Sequence, residues 1–177
     1  LNLANDFQLT GDPTFFVDTG QTETLSGVLS DTDIGNPGIL EKTGAGTLIL
    51  AGNNTYTGGT LVHGGQLTVS GATSGAAGFT VDSGATLLLS GGADTVNVTA
   101  TGGTVKVTAT LASASTFDLS NSATLQAGAN YRFDKHWFVD ASILQTFISQ
   151  TNPLTPGTST SERLDPVAIN ASVGYTF

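Results

Sequence analysis

The 177-residue chain contains no cysteine and no methionine, and only 11% of its residues are charged. The lack of cysteine excludes disulfides, thiolate metal sites and a cysteine nucleophile. No apolar run is long enough to form a membrane-spanning helix. Strands of a closed barrel are therefore the only predicted way for this chain to cross a bilayer. Lys and Arg number 5 against 14 Asp and Glu, an acidic balance that argues against nucleic acid as a partner.

A repeated pattern of Thr followed by aliphatic residues runs through the middle of the chain. Its five copies recur at nearly constant spacing, and they are GTLIL at Gly46, GQLTV at Gly65, ATLLL at Ala85, GTVKV at Gly103 and ATLQA at Ala123. A second series of short strand signals lies between them, separated by corners rich in Gly or Asn. A unit this short cannot bury a face by itself, whereas stacked copies share one interior. The sequence predicts an all-β fold with a β-solenoid over residues 1–126.

The alternation within each copy predicts which residues form the solenoid core, because every second residue of a strand points to the same side. A globular β-sandwich is the structural competitor, since its turns also recur at short intervals, but it does not predict a repeat of sequence. The predicted core residues are Leu48, Leu50, Leu67, Val69, Leu87 and Leu89.

Residues 39–71 read ILEKTGAGTLILAGNNTYTGGTLVHGGQLTVSG. This segment closely resembles the autotransporter-associated β-strand repeat, the passenger-associated repeat of secreted bacterial surface proteins. The resemblance implies one or two turns of a right-handed β-helix in a passenger domain. It also implies an association with outward translocation and folding.

The last eleven residues, VAINASVGYTF, alternate strictly between larger apolar or aromatic residues and small or polar ones. A barrel strand needs about 9 to 11 residues to cross the hydrocarbon layer, with one face toward lipid and the other toward a polar lumen. The pattern favours a membrane strand over a half-buried strand of a soluble sandwich, which also alternates.

Residues 129–177, which contain ANYRFDKHWFVDASI and RLDPVAINASVGYTF, resemble the C-terminal part of the OmpW family of small eight-stranded outer membrane barrels. The resemblance implies strands over residues 125–133, 137–149 and 167–177. It also implies outer membrane lipid as a partner, and Phe177 resembles the signal read by the barrel-assembly machinery. The residues predicted to face lipid are Trp137, Val139, Ala141, Ile143, Phe147, Val167, Ile169, Val173, Tyr175 and Phe177.

Three membrane strands cannot close a barrel, because an open edge in lipid leaves backbone groups unpaired. Three explanations stay open for residues 127–177, which we predict as the second domain. The chain can be a fusion or a piece of a passenger and a barrel end, or several chains can contribute strands to one homo-oligomeric barrel. Alternatively, the last strands can pack as a soluble cap on the solenoid.

The titratable residues do not form a recognisable catalytic or metal-binding pattern. Asp31 and Asp33 lie in a DTDIGNPG turn and are predicted to cap it. Asp82 and Asp94 are each predicted to stand alone at a corner, and His63 has no second His at a metal-ligand spacing. We therefore predict no catalytic residue, no metal ligand and no cofactor.

These observations predict a non-enzymatic bacterial protein of the outer membrane or cell surface, in which a passenger-type solenoid joined to barrel-type strands serves display or adhesion. Two alternatives come from other classes. The OmpW resemblance implies a channel for small solutes, which requires a closed barrel. The solenoid class also includes carbohydrate-binding and polysaccharide-cleaving proteins, which require a row of exposed aromatic residues or close carboxylates along one face.

Overall fold

The computed structural model describes residues 1–74, 78–91, 96–109, 111, 115–132, 137–148, 163–164 and 168–175, with side chains described as far as Gly128. Every regular element in these ranges is a β-strand. They contain no helix with the length and apolar character needed to traverse a membrane.

The strands form three faces, and each of the stacked turns contributes a strand to the first face, the second or both. The first sheet contains β1 (Asn2–Leu3), β4 (Thr22–Leu25), β7 (Thr47–Leu50), β9 (Gln66–Val69), β11 (Thr86–Leu89), β13 (Thr104–Val107) and β15 (Thr124–Arg132). The second contains β3 (Thr14–Phe16), β6 (Leu40–Thr43), β8 (Thr60–Val62), β10 (Phe79–Val81), β12 (Asn97–Thr101) and β14 (Thr116–Ser120). The third contains β2 (Phe7–Leu9) and β5 (Leu29–Asp31), and a single bridge between Asn54 and Thr73 continues this face.

Successive turns pair in parallel and place equivalent repeat positions beside each other. Leu67 pairs with Leu48 on one side and with Leu87 on the other, and Leu87 pairs with Val105. Stacking continues for about six turns. The prediction of an all-β solenoid is confirmed, because each period of the repeat returns the chain to the same face after one turn.

The interior is built from the alternate residues of these strands. Leu48, Leu50, Leu67 and Leu87 have 0 to 2% of their surface exposed, as do Val69 and Leu89. All six residues predicted to form the core therefore lie in it. Each fully buried leucine contributes about 1.5 to 3 kcal/mol through the hydrophobic effect.

A recurring corner joins the second sheet to the first sheet of the next turn. Gly44 and Gly65 occupy it in adjacent turns with φ values of 75° and 62°. Only glycine adopts this left-handed conformation without steric cost, which explains why the repeat places glycine there. In the last corner Asn121 and Ser122 take positive φ values instead.

The C-terminal strands extend the first sheet in the antiparallel sense. β15 pairs antiparallel with β16 (Trp137–Ile148), and β16 pairs antiparallel with β18 (Ala168–Tyr175). The short strand β17 (Arg163–Leu164) pairs with the end of β16. β16 and β18 lie within the strands implied for residues 137–149 and 167–177, and β15 within that for 125–133 except that it begins one residue earlier. β17 lies outside the three implied strands.

Candidate functional site

A lysine lies in the interior of the solenoid, at an inward-facing position of β6. Lys42 is fully buried, and its Nζ donates hydrogen bonds to the carbonyl oxygens of Thr43 (2.7 Å), Gly44 (2.9 Å) and Gly64 (3.2 Å). Burial lowers the pKa of the Lys42 ammonium, and the negative charge of Glu23 offsets this in part. Because Gly64 belongs to the following turn, the ammonium joins the corner carbonyls of two turns.

A buried tyrosine makes a second polar contact within the same segment. Tyr56 has 1% of its surface exposed, and its hydroxyl lies 2.7 Å from Oγ1 of Thr60, which is fully buried. Burial raises the pKa of Tyr56 to about 12, although the hydrogen bond to Thr60 acts in the opposite direction. The pair satisfies two hydroxyls that would otherwise be buried without partners.

Side chains on the third face connect the backbones of neighbouring turns. Asn54 Oδ1 accepts a hydrogen bond from the Leu29 amide at 2.9 Å, and Asp31 Oδ2 accepts from the Thr57 amide at 2.8 Å and from its hydroxyl at 2.7 Å. Asn54 Nδ2 and Asp31 Oδ1 are buried without a hydrogen-bond partner. Asp31 thus joins two turns, whereas Asp33 caps its own turn through the Gly35 amide.

On the outer surface, His63 Nδ1 lies 2.6 Å from Asp82 Oδ2. The expectation that Asp82 stands alone is wrong, because the pairing of Val62 with Val81 places the residues that follow them side by side. Both side chains are more than a third exposed, so the pair contributes at most about 1 kcal/mol to stability.

No group of three or more potential metal ligands occurs in the described part of the chain. Asp94 lies outside it.

The junction between the solenoid and the terminal strands is a single shared strand. Residues Thr124–Ala127 of β15 pair in parallel with β13, and the same residues pair antiparallel with β16. One continuous sheet therefore runs from the stacked turns into the terminal strands. This strand spans the domain boundary predicted between residues 126 and 127, and that boundary stays a prediction.

The register of the terminal strands aligns the positions predicted to face lipid. Trp137 pairs with Tyr175, Val139 with Val173 and Ile143 with Ile169. Directly paired residues lie on the same face of a sheet, so the backbone groups these six positions together. Phe147 pairs with Leu164 of β17, while Val167 and Phe177 lie outside the described residues.

Comparison with protein families finds a match in each of two segments of the chain. Residues 40–69 match the passenger-associated-transport-repeat, and residues 91–177 match the OmpW family. The chain therefore joins a segment similar to the passenger-associated repeat to a segment similar to the OmpW family. It is an outer-membrane or cell-surface protein. No curated protein and no solved structure matches it significantly.

The passenger-associated repeat at residues 40–69 contains Lys42, Asn54, Tyr56 and Thr60, all of them buried polar residues. Lys42 and Asn54 hydrogen-bond backbone groups of another turn, whereas Tyr56 and Thr60 bond each other within one turn. The OmpW match begins at residue 91, inside the solenoid, and so includes β12, β13 and β14 as well as the terminal strands.

Sequence reasoning missed the inward positions of Lys42 and Asp31. A signal for Lys42 was available, because Leu40 and Lys42 alternate with Glu41 and Thr43 in β6, which puts the lysine on the same side as a core leucine.

Tyr56 predicts an alkaline instability of the repeat. Its folded pKa of about 12 exceeds the ordinary value of 10.0, so its contribution is intact below pH 10 and is lost as the pH rises from 10 through 12. The loss is about 2 kcal/mol at pH 12. Urea unfolding followed by circular dichroism at several pH values measures it.

Tyr56→Phe serves as the comparison, because it removes the titrating group. We expect it to cost about 1 to 2 kcal/mol at pH 8, since the Thr60 hydroxyl loses its partner, and to lose less stability than the parent above pH 10. Lys42 titrates in both proteins and therefore cancels in the difference. Equal losses in the two proteins between pH 10 and 12 would contradict the assignment.

Proposed function

We propose that the protein displays its solenoid on the outside of the outer membrane, with β15, β16 and β18 as a barrel-type anchor. Its role in this proposal is non-enzymatic surface display or adhesion. The observation that carries the proposal is the continuous first sheet, which links stacked passenger turns to strands matching an outer membrane family.

The order of the strands supports an external solenoid. β15 and β18 both run antiparallel to β16, so three crossings would leave the end of β18 on the opposite side of the membrane from the solenoid. The chain between β15 and β16 is short (133–136), whereas the chain between β16 and β18 is long (149–167). Outer membrane barrels have short periplasmic turns and longer extracellular loops. The long connection lies on the solenoid side, which favours the outside for the solenoid.

A non-enzymatic role is supported by the contacts that the acidic side chains make. Carboxylates of Asp6, Asp12, Asp31 and Asp33 each accept a hydrogen bond from a backbone amide. Asp82 pairs with His63 of the adjacent turn at the surface. These are contacts that hold the chain in its turns, and none brings two carboxylates together.

The two alternatives lose support for specific reasons. A channel formed by this chain alone requires a closed barrel, and the stacked turns occupy the described chain as far as β15. A carbohydrate-binding solenoid requires a platform of aromatic side chains, whereas Phe16 is the one large aromatic exposed among the described side chains.

In this proposal the solenoid folds vectorially, because each turn contacts only the turns beside it. The same proposal includes a right-handed coil for the solenoid. It also includes insertion through recognition of Phe177 by the assembly machinery, and closure of the barrel by strands from several copies of the chain. The need for further strands follows from geometry, since a single-chain barrel has at least about eight.

Cell fractionation tests the anchor. The chain is expressed behind a secretion leader, protease is added outside the cells, and heat-modifiable gel mobility is scored on the outer membrane fraction. Protease-sensitive, heat-modifiable material in that fraction supports display on an inserted barrel. Wholly soluble material would overturn the anchor and favour a soluble cap.

Val173→Asp is expected to reduce membrane retention several-fold while leaving the solenoid folded. Position 173 pairs with Val139 in the set predicted to face lipid, and a charge on the lipid face of a barrel costs roughly 1 to 2 kcal/mol, depending on depth. Asn170→Asp is the matched control, because position 170 lies on the opposite face of the strand and pairs with the uncharged Ser142. Equal retention of the two variants would show that the lipid face is wrongly assigned.

A further inference from the structure

β15 belongs both to the solenoid and to the terminal antiparallel strands. It has nine residues, of which the four residues Thr124–Ala127 pair with β13 in the last stacked turn. The remaining five, Gly128–Arg132, extend beyond the solenoid and pair with β16 alone.

The extension is too short to cross a membrane. Five residues at about 3.4 Å each span roughly 17 Å. A barrel strand needs about 9 to 11 residues, and the apolar band of an outer membrane barrel is about 25 Å tall. The whole of β15 reaches the lower limit only when Thr124–Ala127 also enter the bilayer.

Those four residues cannot enter while they remain paired with β13. The Thr124 amide donates to the Gly103 carbonyl at 2.9 Å, and Leu125 packs against the buried core beside Val105. If β13 entered the bilayer with β15, the charged residue Lys106, which pairs with Gln126, would move toward the hydrocarbon. A strand of the solenoid would also leave the stacked turns. Neither happens if β15 separates from β13.

We propose that β15 is a switch strand with two exclusive states. In the state described above it completes the last turn of the solenoid, and β16 covers its outer edge. On membrane insertion Thr124–Ala127 leave β13 and become the first part of a membrane strand. This inference rests on the proposed anchor and adds the exchange that anchoring requires.

The family match supports dual use of this segment. The OmpW-family match includes residues 91–128, which the structure stacks as solenoid turns wherever it describes them. The same residues therefore satisfy the pattern of a barrel family and the pairing of a solenoid. Period-2 alternation suits both, since each has one apolar and one polar side to its strands.

A cross-link between β13 and β15 tests the switch. The chain lacks cysteine, so Lys106→Cys with Gln126→Cys introduces one pair at directly paired positions. Leu88→Cys with Lys106→Cys is the matched control, because it links β11 to β13 one turn earlier and leaves β15 free. A disulfide or, where it does not close, a short bismaleimide joins each pair in the purified full-length chain.

Insertion is measured in vesicles of dilauroylphosphatidylcholine that contain brominated lipid. Trp137 is the single tryptophan, so quenching of its fluorescence reports on β16 alone. We expect the linked control and both unlinked variants to insert. For the linked 106–126 variant, we expect the Trp137 fluorescence to be quenched no more than it is in the protein without lipid. Carbonate-resistant flotation provides the second readout.

The outcomes separate the switch from the anchor. Insertion of the linked 106–126 variant to the same level as its control would overturn the switch and leave the anchor standing. Failure of every variant to insert, with or without a link, would overturn the anchor and the switch that depends on it. Loss of insertion confined to the linked 106–126 variant supports both.

Discussion

Gly52→Ala is expected to disrupt the solenoid at the passenger-associated repeat. A Cβ atom at this position would overlap the carbonyl oxygen of Gly27 in the preceding turn, well inside van der Waals contact. That oxygen is a backbone atom, so it cannot move aside without shifting the turn. The same close approach repeats one turn later, where a Cβ at Gly71 would overlap the Gly52 oxygen. We expect a loss of at least about 3 kcal/mol in the free energy of unfolding.

Gly59→Ala is the matched control for this prediction. The nearest atom to its added Cβ would be the Gly78 carbonyl oxygen at 3.7 Å, and no positive φ opposes a side chain there. Replacement of glycine at such a site changes stability little or raises it by up to about 1 kcal/mol through the unfolded chain. Urea midpoints from circular dichroism compare the two variants. Equal midpoints would show that the close corner tolerates expansion.

The stacking of the solenoid could be predicted from the sequence because the repeat carries its own register. The nearly constant spacing of the copies brings Leu48, Leu67 and Leu87 into one column, and parallel pairing follows from that spacing. Alternation then decides which side of each strand is buried.

The positions of the buried Lys42 and the half-buried Asp31 were not predicted, for a physical reason. Residue type alone assigns Lys42 and Asp31 to solvent, since charged side chains are buried only when they are paired or hydrogen-bonded. Their partners are backbone groups of other turns, at Gly64 and Thr57, which a strand pattern does not locate. Stacking must be known before such contacts can be inferred.

The sequence around the predicted end of the solenoid fits two kinds of strand. Residues 123–133, ATLQAGANYRF, alternate in the way that both a solenoid strand and a barrel strand require. The sequence therefore could not reveal that β15 pairs with β13 on one edge and with β16 on the other. This ambiguity is the same property that allows one strand to serve two structures.

Lys42→Met is expected to destabilise the protein by about 2 to 4 kcal/mol at neutral pH, because the carbonyl oxygens of Thr43, Gly44 and Gly64 lose their shared donor. Methionine preserves much of the buried volume. Buried acceptors without partners cost about 1 to 3 kcal/mol each, and relief of the buried charge offsets part of that loss. Lys106→Met is the control, because Lys106 lies on the outer side of β13 and is only partly buried.

The pH dependence distinguishes the ammonium of Lys42 from its packing. Burial lowers the folded pKa of Lys42 below 10.5, so the unfolded chain binds more protons between the two values and stability rises with pH there. The parent and Lys106→Met should show this gain as the pH approaches 10.5, and Lys42→Met should lack it. The urea midpoint of each protein, measured from pH 7 to 10, provides the comparison. A Lys42→Met protein as stable as the parent at pH 7 would mean that burying the charge costs as much as its three hydrogen bonds contribute.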